Sequence, residues 1–174
     1  MSKKGDASQV FVYTITAVVA AMVLIFGYKA IGTLSEGAKT AGLVKFKNTF
    51  SDTVDRNSGY GRIAIEEFDV PGKYVKLCLI HNKFTDEDSG ADALLADYPE
   101  AIDIAETSDN AFLADEKKSI DPFRVPNFEV GNSEYEDPDG ELVDLENAVC
   151  FDIIGGKAEV KFEGKGDKTL ISQP

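Results

Sequence analysis

An uncharged apolar stretch near the start of the chain limits its fold more than any other feature. No residue between positions 7 and 28 is charged, and the segment VFVYTITAVVAAMVLIFGY within it is almost wholly apolar. At about 1.5 Å of rise per residue, a helix of this length reaches about 33 Å, enough to cross a hydrocarbon layer of about 30 Å. We therefore expect a membrane-spanning helix over residues 6–31.

A cleaved secretory signal is the main alternative for this stretch, with Lys3 and Lys4 as its basic start. Such a signal has an apolar region of only about 7 to 15 residues, followed by a small-x-small cleavage site. The stretch here is longer than that, which favours a helix that stays on the mature chain.

The residues before the stretch form a short leader, residues 1–5, that contains Lys3, Lys4 and Gly5 and is followed by Asp6. Together with the apolar helix, these residues resemble the class III signal of archaeal type IV pilin-like proteins. The resemblance covers the N-terminal segment alone. It implies that a prepilin-type peptidase cuts between Gly5 and Asp6. Val10 departs from the pattern of bacterial pilins, which usually carry a glutamate there that contacts a neighbouring subunit; this bears on filament assembly more than on processing.

Charge does not settle the orientation of the helix. Lysines stand on both sides of it, at Lys3 and Lys4 before it and at Lys29, Lys39, Lys45 and Lys47 after it. Long domains cross membranes largely regardless of charge. We expect a single-pass cell-membrane protein with a cytoplasmic N-terminus and an extracellular domain.

The segment after the apolar stretch has the pattern of an amphipathic helix. Leu43, Phe46, Phe50 and Val54 recur at spacings of three and four, which places them on one helix face. Residues 32–58 are therefore expected to form a helical stalk, a layout similar to the long first helix of pilins. An ordinary anchor helix joined by a flexible linker to a second helix fits the same pattern.

Four glycines recur at five-residue intervals along the expected helix, at Gly27, Gly32, Gly37 and Gly42. Each glycine costs about 1 kcal/mol relative to alanine inside a helix. We expect a kink or a melted stretch in this region.

Residues 59–174 are expected to form an acidic, β-rich ectodomain. Residues 57–61 are rich in Asn and Gly and end the helical pattern. Strands are predicted over residues 62–70 and 73–80, on either side of the turn dipeptide Pro71-Gly72. A short helix is predicted over residues 91–98, strands over 110–114 and 169–171, and a surface loop between 119 and 140.

The strongest local pattern lies near the C-terminus. Residues 149–154 and 157–163 alternate apolar and polar side chains on either side of Gly155-Gly156, which predicts a hairpin with a two-residue turn. In that register, the apolar residues face each other as Ile153 with Ala158, Phe151 with Val160 and Val149 with Phe162. The fold class is therefore α+β: a long N-terminal helix, half transmembrane and half amphipathic, followed by a mainly antiparallel β ectodomain.

Cys78 and Cys150 are the two cysteines of the chain, and each falls within a predicted strand. Each is expected on a lysine-bearing face, beside Lys76 and opposite Lys161. Exposed thiols on such faces would oxidise readily, and one bridge between them removes the problem. We expect a disulfide, because an exported domain permits oxidation. Two buried free cysteines are the alternative.

The sequence favours a protein that is not an enzyme and that needs no cofactor. His81 is the single histidine, so no second histidine can join it in a zinc site or support a nucleophile-base arrangement. A phosphate-binding loop and a dinucleotide fingerprint are both absent from the sequence.

Acidic loops are weak candidates for calcium ligands. Asp86, Asp88 and Asp92 alternate in one segment, but the glycine stands at its fifth place, where an EF-hand loop needs it sixth. A solvated acidic loop is the favoured interpretation, and it applies equally to the group Asp137, Asp139 and Glu141.

Net charge limits the partners. The chain has a formal net charge of −13, and residues 61–174 carry 27 acidic groups against 11 basic ones. Such a surface repels phosphate backbones, so nucleic acid is not an expected partner.

Three functions are consistent with these patterns. The leading hypothesis is a pilin-like structural or interaction subunit of the cell envelope, whose partners are the lipid bilayer, the prepilin-type peptidase and further copies in a homo-oligomer or filament. Small residues would let neighbouring helices approach closely, at Ala17, Ala20, Ala21 and Gly27. The second is a monomeric anchored binding or sensor domain, and the third is an anchored hydrolase that uses carboxylates.

Overall fold

The computed structural model describes residues 4–81, 91–131, 133–136, 140, 142–145 and 147–174. An N-terminal helix precedes two short helices and ten strands, which confirms the α+β class with a mainly antiparallel β region. The helices are α1 (Lys4–Arg56), α2 (Ala91–Asp97) and α3 (Ala101–Glu106). The strands are β1 (Ile63–Asp69), β2 (Tyr74–Ile80), β3 (Ala111–Asp115), β4 (Ile120–Phe123), β5 (Phe128–Val130), β6 (Ser133–Glu136), β7 (Leu142–Leu145), β8 (Ala148–Asp152), β9 (Lys157–Gly164) and β10 (Thr169–Ser172). The chain forms two compact units, Met1–Ala41 and Gly42–Pro174.

Helix α1 is continuous through its four glycines, so the expected melted stretch is wrong. The cost of each glycine is small beside the cooperativity of a helix that already has many turns on both sides. The helix ends where the sequence predicts. The backbone N–H and the side-chain Nδ2 of Asn57 both donate to the carbonyl of Thr53, at 3.1 and 2.9 Å, and Gly61 follows with a φ of +75°.

The strands of the second unit form three sheets. Sheet A has the order β1-β9-β10-β5, sheet B has the order β4-β3-β2-β8, and β6 and β7 pair as a two-stranded ribbon. Every neighbouring pair is antiparallel except β10 with β5.

Both sheets share one core with the helical segment 42–56. From the helix, Phe46, Phe50 and Val54 are buried in this core and Leu43 packs against it, as their spacing predicts. The ring of Phe50 lies 5.0 Å from that of Phe68 in sheet A and 6.3 Å from that of Phe123 in sheet B. This half of the helix is therefore an integral part of the folded β unit.

A second core lies on the other face of sheet B. The short helices cover it with Leu94, Tyr98, Ala101 and Ile104, and the β6–β7 ribbon adds Tyr135 and Leu145. Helix α3 was not predicted, although Tyr98, Ala101 and Ile104 follow the three-residue spacing of one helix face.

The predicted hairpin of residues 149–163 is wrong in its pairing. The two-residue turn exists, because Ile154 and Lys157 exchange backbone hydrogen bonds of 2.9 and 3.1 Å around Gly155 and Gly156. Beyond it the strands separate. Ile153 donates to Val75 in sheet B, and β9 pairs with β1 and β10 in sheet A. The apolar faces of β8 and β9 meet across the core instead of lying side by side.

The predicted surface loop between residues 119 and 140 is also wrong, because it contains β4, β5 and β6. Pro122 lies within β4. A proline lacks a backbone N–H and is tolerated on an edge strand, and β4 is an edge of sheet B. Turn-forming residues in the sequence therefore stand inside short edge strands here.

The turn after α1 packs tightly against the end of β9 at Gly164. A Cβ atom on Gly164 would lie 1.9 Å from the carbonyl oxygen of Gly59 and 2.6 Å from that of Asn57. The same contact is held by hydrogen bonds from Gly61 to Gly164 and from Gly164 to Arg62, at 3.0 and 2.7 Å. Only glycine fits at this position.

We expect Gly164→Ala to lower the free energy of unfolding by about 3 kcal/mol, because the turn must move away and lose these bonds. Thermal unfolding of the full-length chain in detergent measures the effect. Gly72→Ala is the matched control, since a Cβ there meets no atom within 4 Å. Equal melting temperatures for the two variants would contradict the assigned packing.

Candidate functional site

Helix α1 carries the one segment of the described residues that is long and apolar enough to cross a membrane, Val10–Lys29. No part of it is buried in the chain's own fold, which distinguishes it from the core helix of a soluble protein. The hydroxyls of Thr14 and Thr16 donate to the carbonyls of Val10 and Val12, at 2.9 and 2.8 Å. These polar groups are therefore satisfied within the helix, as a hydrocarbon environment requires.

Aromatic side chains lie near both ends of this segment. Phe11 and Tyr13 are exposed near its start, and Phe26 and Tyr28 near its end. Tyrosine is enriched where membrane-spanning helices meet the headgroup layer, because its ring is apolar and its hydroxyl is polar. The exposed apolar surface thus ends at both sides in residues suited to an interface.

The small residues proposed for helix packing all lie on this exposed surface. Ala17, Ala20 and Ala21 are exposed, and nothing lies within 4 Å of a Cβ built on Gly27. The space beside them is open. Of the processing residues, Lys4, Gly5 and Asp6 lie in the first turn of α1. Lys3 lies outside the described residues.

Cys78 and Cys150 form a disulfide with an S–S distance of 2.03 Å and a Cα–Cα distance of 4.1 Å. They stand directly opposite each other on β2 and β8. His81 donates a backbone hydrogen bond to Asn147, and Ile153 donates one to Val75. The odd-numbered residues of β2 are therefore the ones whose backbone groups bond to β8. Cys78 and Cys150 are therefore a non-hydrogen-bonded pair, in which side chains come closest.

The surroundings of the disulfide differ from the expected lysine-bearing surface. Both cysteines are buried in the second core, because the short helices and the β6–β7 ribbon cover that face of sheet B. Lys161 is not opposite Cys150 but lies in sheet A, paired with Ile65.

A buried carboxylate that no sequence pattern indicates lies at the rim of the second core. Asp97 at the end of α2 accepts hydrogen bonds from the Lys118 ammonium and the Tyr135 hydroxyl. The Lys76 ammonium lies 5.3 Å from the centre of the Tyr135 ring. Burial alone raises the pKa of Asp97, but the bonds from Lys118 and Tyr135 outweigh it and hold the pKa below its ordinary value. The contacts of Asp97 thus connect α2 with the turn between β3 and β4 and with β6.

We expect Asp97→Asn to lower the free energy of unfolding by about 1 to 2 kcal/mol near neutral pH, because it removes the charge that faces a partly exposed lysine. The stabilisation by Asp97 is fully present above about pH 4, the ordinary range of aspartate, and is lost as the pH falls through the lowered pKa. The difference between wild type and variant should therefore shrink on acidification. Unfolding curves at pH 7 and pH 3 test this, with the exposed Asp103→Asn as control.

A second tyrosine–carboxylate pair lies at one end of the unit. The Tyr74 hydroxyl donates to Asp121, and the Lys73 ammonium lies 3.4 Å from the same carboxylate. Burial, together with the neighbouring carboxylate of Asp121, raises the pKa of Tyr74. The pair links β2 to β4 and lies beside a groove of about 440 Å³ lined by Lys73, Asp115 and Lys117.

Another groove, of about 300 Å³, lies between α3 and β4. Glu100, Asp103 and Asp109 stand at its sides, with Ile104 and Ile120 among its lining. The ring of His81 lies 5.9 Å from that of Phe128. The Lys168 ammonium, with a smaller contribution from His81, lowers the pKa of the nearby Glu129 carboxyl.

The grouping of the weak calcium candidates stays a prediction. Asp86, Asp88, Asp137, Asp139 and Glu141 lie outside the described residues, and Asp92 lies in α2. Within the part of the chain that the structure describes, no three His, Cys, Asp or Glu side chains are grouped to hold a metal ion.

Comparisons with known proteins find no match to this chain. No family model matches the chain, and neither a curated protein nor a solved structure is similar to it.

Proposed function

We propose that this chain is a membrane-anchored protein of the cell envelope, a pilin-like structural or interaction subunit that displays its β unit outside the cell. The observation that carries the proposal is the apolar helix Val10–Lys29, which is exposed along its whole length and has both threonine hydroxyls satisfied internally. Exposing such a helix to water is costly, whereas a bilayer buries all of it.

The disulfide supports the external placement of the β unit. The Cys78–Cys150 bond lies within the second core, and disulfides persist in oxidising compartments. The leader supports the pilin-like route, because Gly5 and Asp6 stand directly before the apolar helix.

Mass analysis of the N-terminus of native, membrane-extracted protein tests the proposal. A mature chain that begins at Asp6 and stays in the membrane through an alkaline carbonate wash is the expected result. A Gly5→Leu variant should remain uncut, whereas the control Ser8→Leu should be cut normally. A chain that begins after residue 30 and is found in the medium would overturn the anchor.

The second candidate is a monomeric anchored binding or sensor domain. Val10 favours it, because an apolar residue stands where bacterial pilins usually carry the subunit-contacting glutamate. Electron microscopy and sedimentation of the extracted protein separate the two functions. Filaments support the pilin-like subunit, and a monodisperse monomer supports the binding domain.

A further inference from the structure

The edge of sheet A at β1 is open. At the two ends of the ladder with β9, Gly164 donates a backbone hydrogen bond to Arg62 and Val70 donates one to Gly156. The even-numbered residues of β1 are therefore the ones whose backbone groups bond to β9. The N–H and C=O groups of the odd positions, Ile63 and Ile65 among them, therefore point away from the sheet. Among the described residues, nothing pairs with them.

The other sheet edges are protected in the ways natural proteins use. Strand β4 contains Pro122, and β5 has only three residues. The outer side of β8 is covered by the hydroxyl of Ser133, which donates to Ala148, and by Gln173, which donates to Cys150. Strand β1 has no proline and, among the described residues, no covering group; its acidic residues Glu66, Glu67 and Asp69 all lie in its C-terminal half.

Apolar side chains accompany the free backbone groups. Ile63 and Ile65 are 65% and 54% exposed on the outer face of β1. The charges on this face of β1 and β9 nearly balance, with four acidic groups and three basic ones: Glu67, Asp69, Glu159 and Glu163 against Lys157, Lys161 and Lys165. By contrast, residues 91–109 contain six acidic groups and no basic one. Two copies of so acidic a chain meet with least repulsion at a nearly balanced surface.

We propose that β1 is a docking strand for a second copy of this chain, which adds its own β1 antiparallel to form one continuous eight-stranded sheet. The register that centres on Ala64 is self-complementary. It sets Ile63 opposite Ile65 of the second copy and Arg62 opposite Glu66. Shifting the centre toward Glu66 would place the isoleucines against Glu67 and Asp69 instead.

The pairing goes beyond the proposed function and does not require the anchor, but it has a consequence for an anchored chain. The helical segment 42–56 runs antiparallel along β1, because Arg56 bonds Glu66 at 3.1 Å while Gly42 lies against Pro71. Pairing at Ala64 places the two copies of Pro71 about 45 Å apart, at about 3.3 Å per strand residue. Gly42, the first residue of the β unit, then lies at opposite ends of the pair in the two copies, so an anchored pair enters its joint sheet from both ends.

A spin label at position 159 tests the pairing in the full-length chain in detergent. Because the native cysteines are bonded to each other, Glu159→Cys supplies one reactive thiol. Strand spacings of about 4.8 Å and 3.3 Å per residue place the two labelled Cα atoms about 25 Å apart in the proposed register. Pulsed electron spin resonance should detect this distance. Absence of dipolar coupling, or a different distance, would overturn the pairing.

Variants at the edge give the matched comparison. Ile65→Pro removes an outward N–H and leaves the bonds between β1 and β9 intact, so it should abolish the 25 Å distance. Ile65→Thr keeps the N–H and should retain the distance. Ile63→Lys places a charge on the edge opposite Glu163 of β9, which preserves the fold, and it too should abolish the distance. Loss of coupling in Ile65→Thr as well, or its retention in Ile63→Lys, would contradict the proposal.

Discussion

Replacing Phe50 with alanine should lower the free energy of unfolding by about 4 kcal/mol, the usual cost of emptying a fully buried aromatic site. The side chain has no exposed surface, and its ring lies 5.0 to 6.3 Å from four other phenylalanine rings, those of Phe46, Phe68, Phe123 and Phe162. The loss should be large because the cavity opens where the helix meets both sheets. Denaturant unfolding of the full-length chain in detergent measures it.

Val44→Ala is the control on the same helix, since Val44 is exposed and should change stability by less than about 0.5 kcal/mol. If Phe50→Ala were as stable as Val44→Ala, the helical segment 42–56 would not be packed in the core.

Removing the disulfide should lower the free energy of unfolding by about as much as Phe50→Ala does. By the chain-entropy model, a bond between Cys78 and Cys150, 72 residues apart, stabilises the fold by roughly 4 kcal/mol. We expect the double variant Cys78→Ala/Cys150→Ala to melt on the order of 15 °C below the wild type. Alanine is chosen because both positions are buried among apolar side chains.

Chemical reduction of the wild type is the accompanying control, and it should reproduce the lowered melting temperature. The intact mass of the native protein should be two hydrogens below that of the reduced form. Titration of two free thiols in freshly isolated protein would refute the bond.

Periodicity in the sequence predicted which side chains are buried better than it predicted which strands pair. Phe151 and Val160 are both buried, as their alternation indicates, but they lie on different sheets. Alternation of apolar and polar residues indicates that one face of a strand is apolar. The apolar side chains on that face can pack beside those of the adjacent strand in the same sheet or against those of another sheet across a core. The turn at Gly155-Gly156 is compatible with both arrangements.

The second core is where sequence reasoning missed most. Cys78 and Cys150 were expected on lysine-bearing strand faces, beside Lys76 and opposite Lys161. In the structure, α2, α3 and the β6–β7 ribbon cover that face, so the burial of the cysteines depends on elements distant in sequence. The contacts of Asp97 were hidden for the same reason, since Lys118 and Tyr135 lie 21 and 38 positions away.

The long apolar helix and the amphipathic segment were predicted more fully, because each depends on local composition and spacing. The apolar run needs no distant partner to be recognised. The spacing of Phe46, Phe50 and Val54 places them on one helix face, and that face is buried in the core. The sequence could not indicate that the opposite wall of this core consists of two sheets.

The packing of segment 42–56 determines how the β unit responds to mechanical load. Because this segment runs along β1, a pull directed along the segment's own axis is also directed along β1. It therefore loads Phe46, Phe50 and Val54 together, in shear, instead of peeling them away one after another. Rupture requires all three side chains to leave their sites at once, so the unit should withstand tension far better than an equally stable domain that is unzipped from one end.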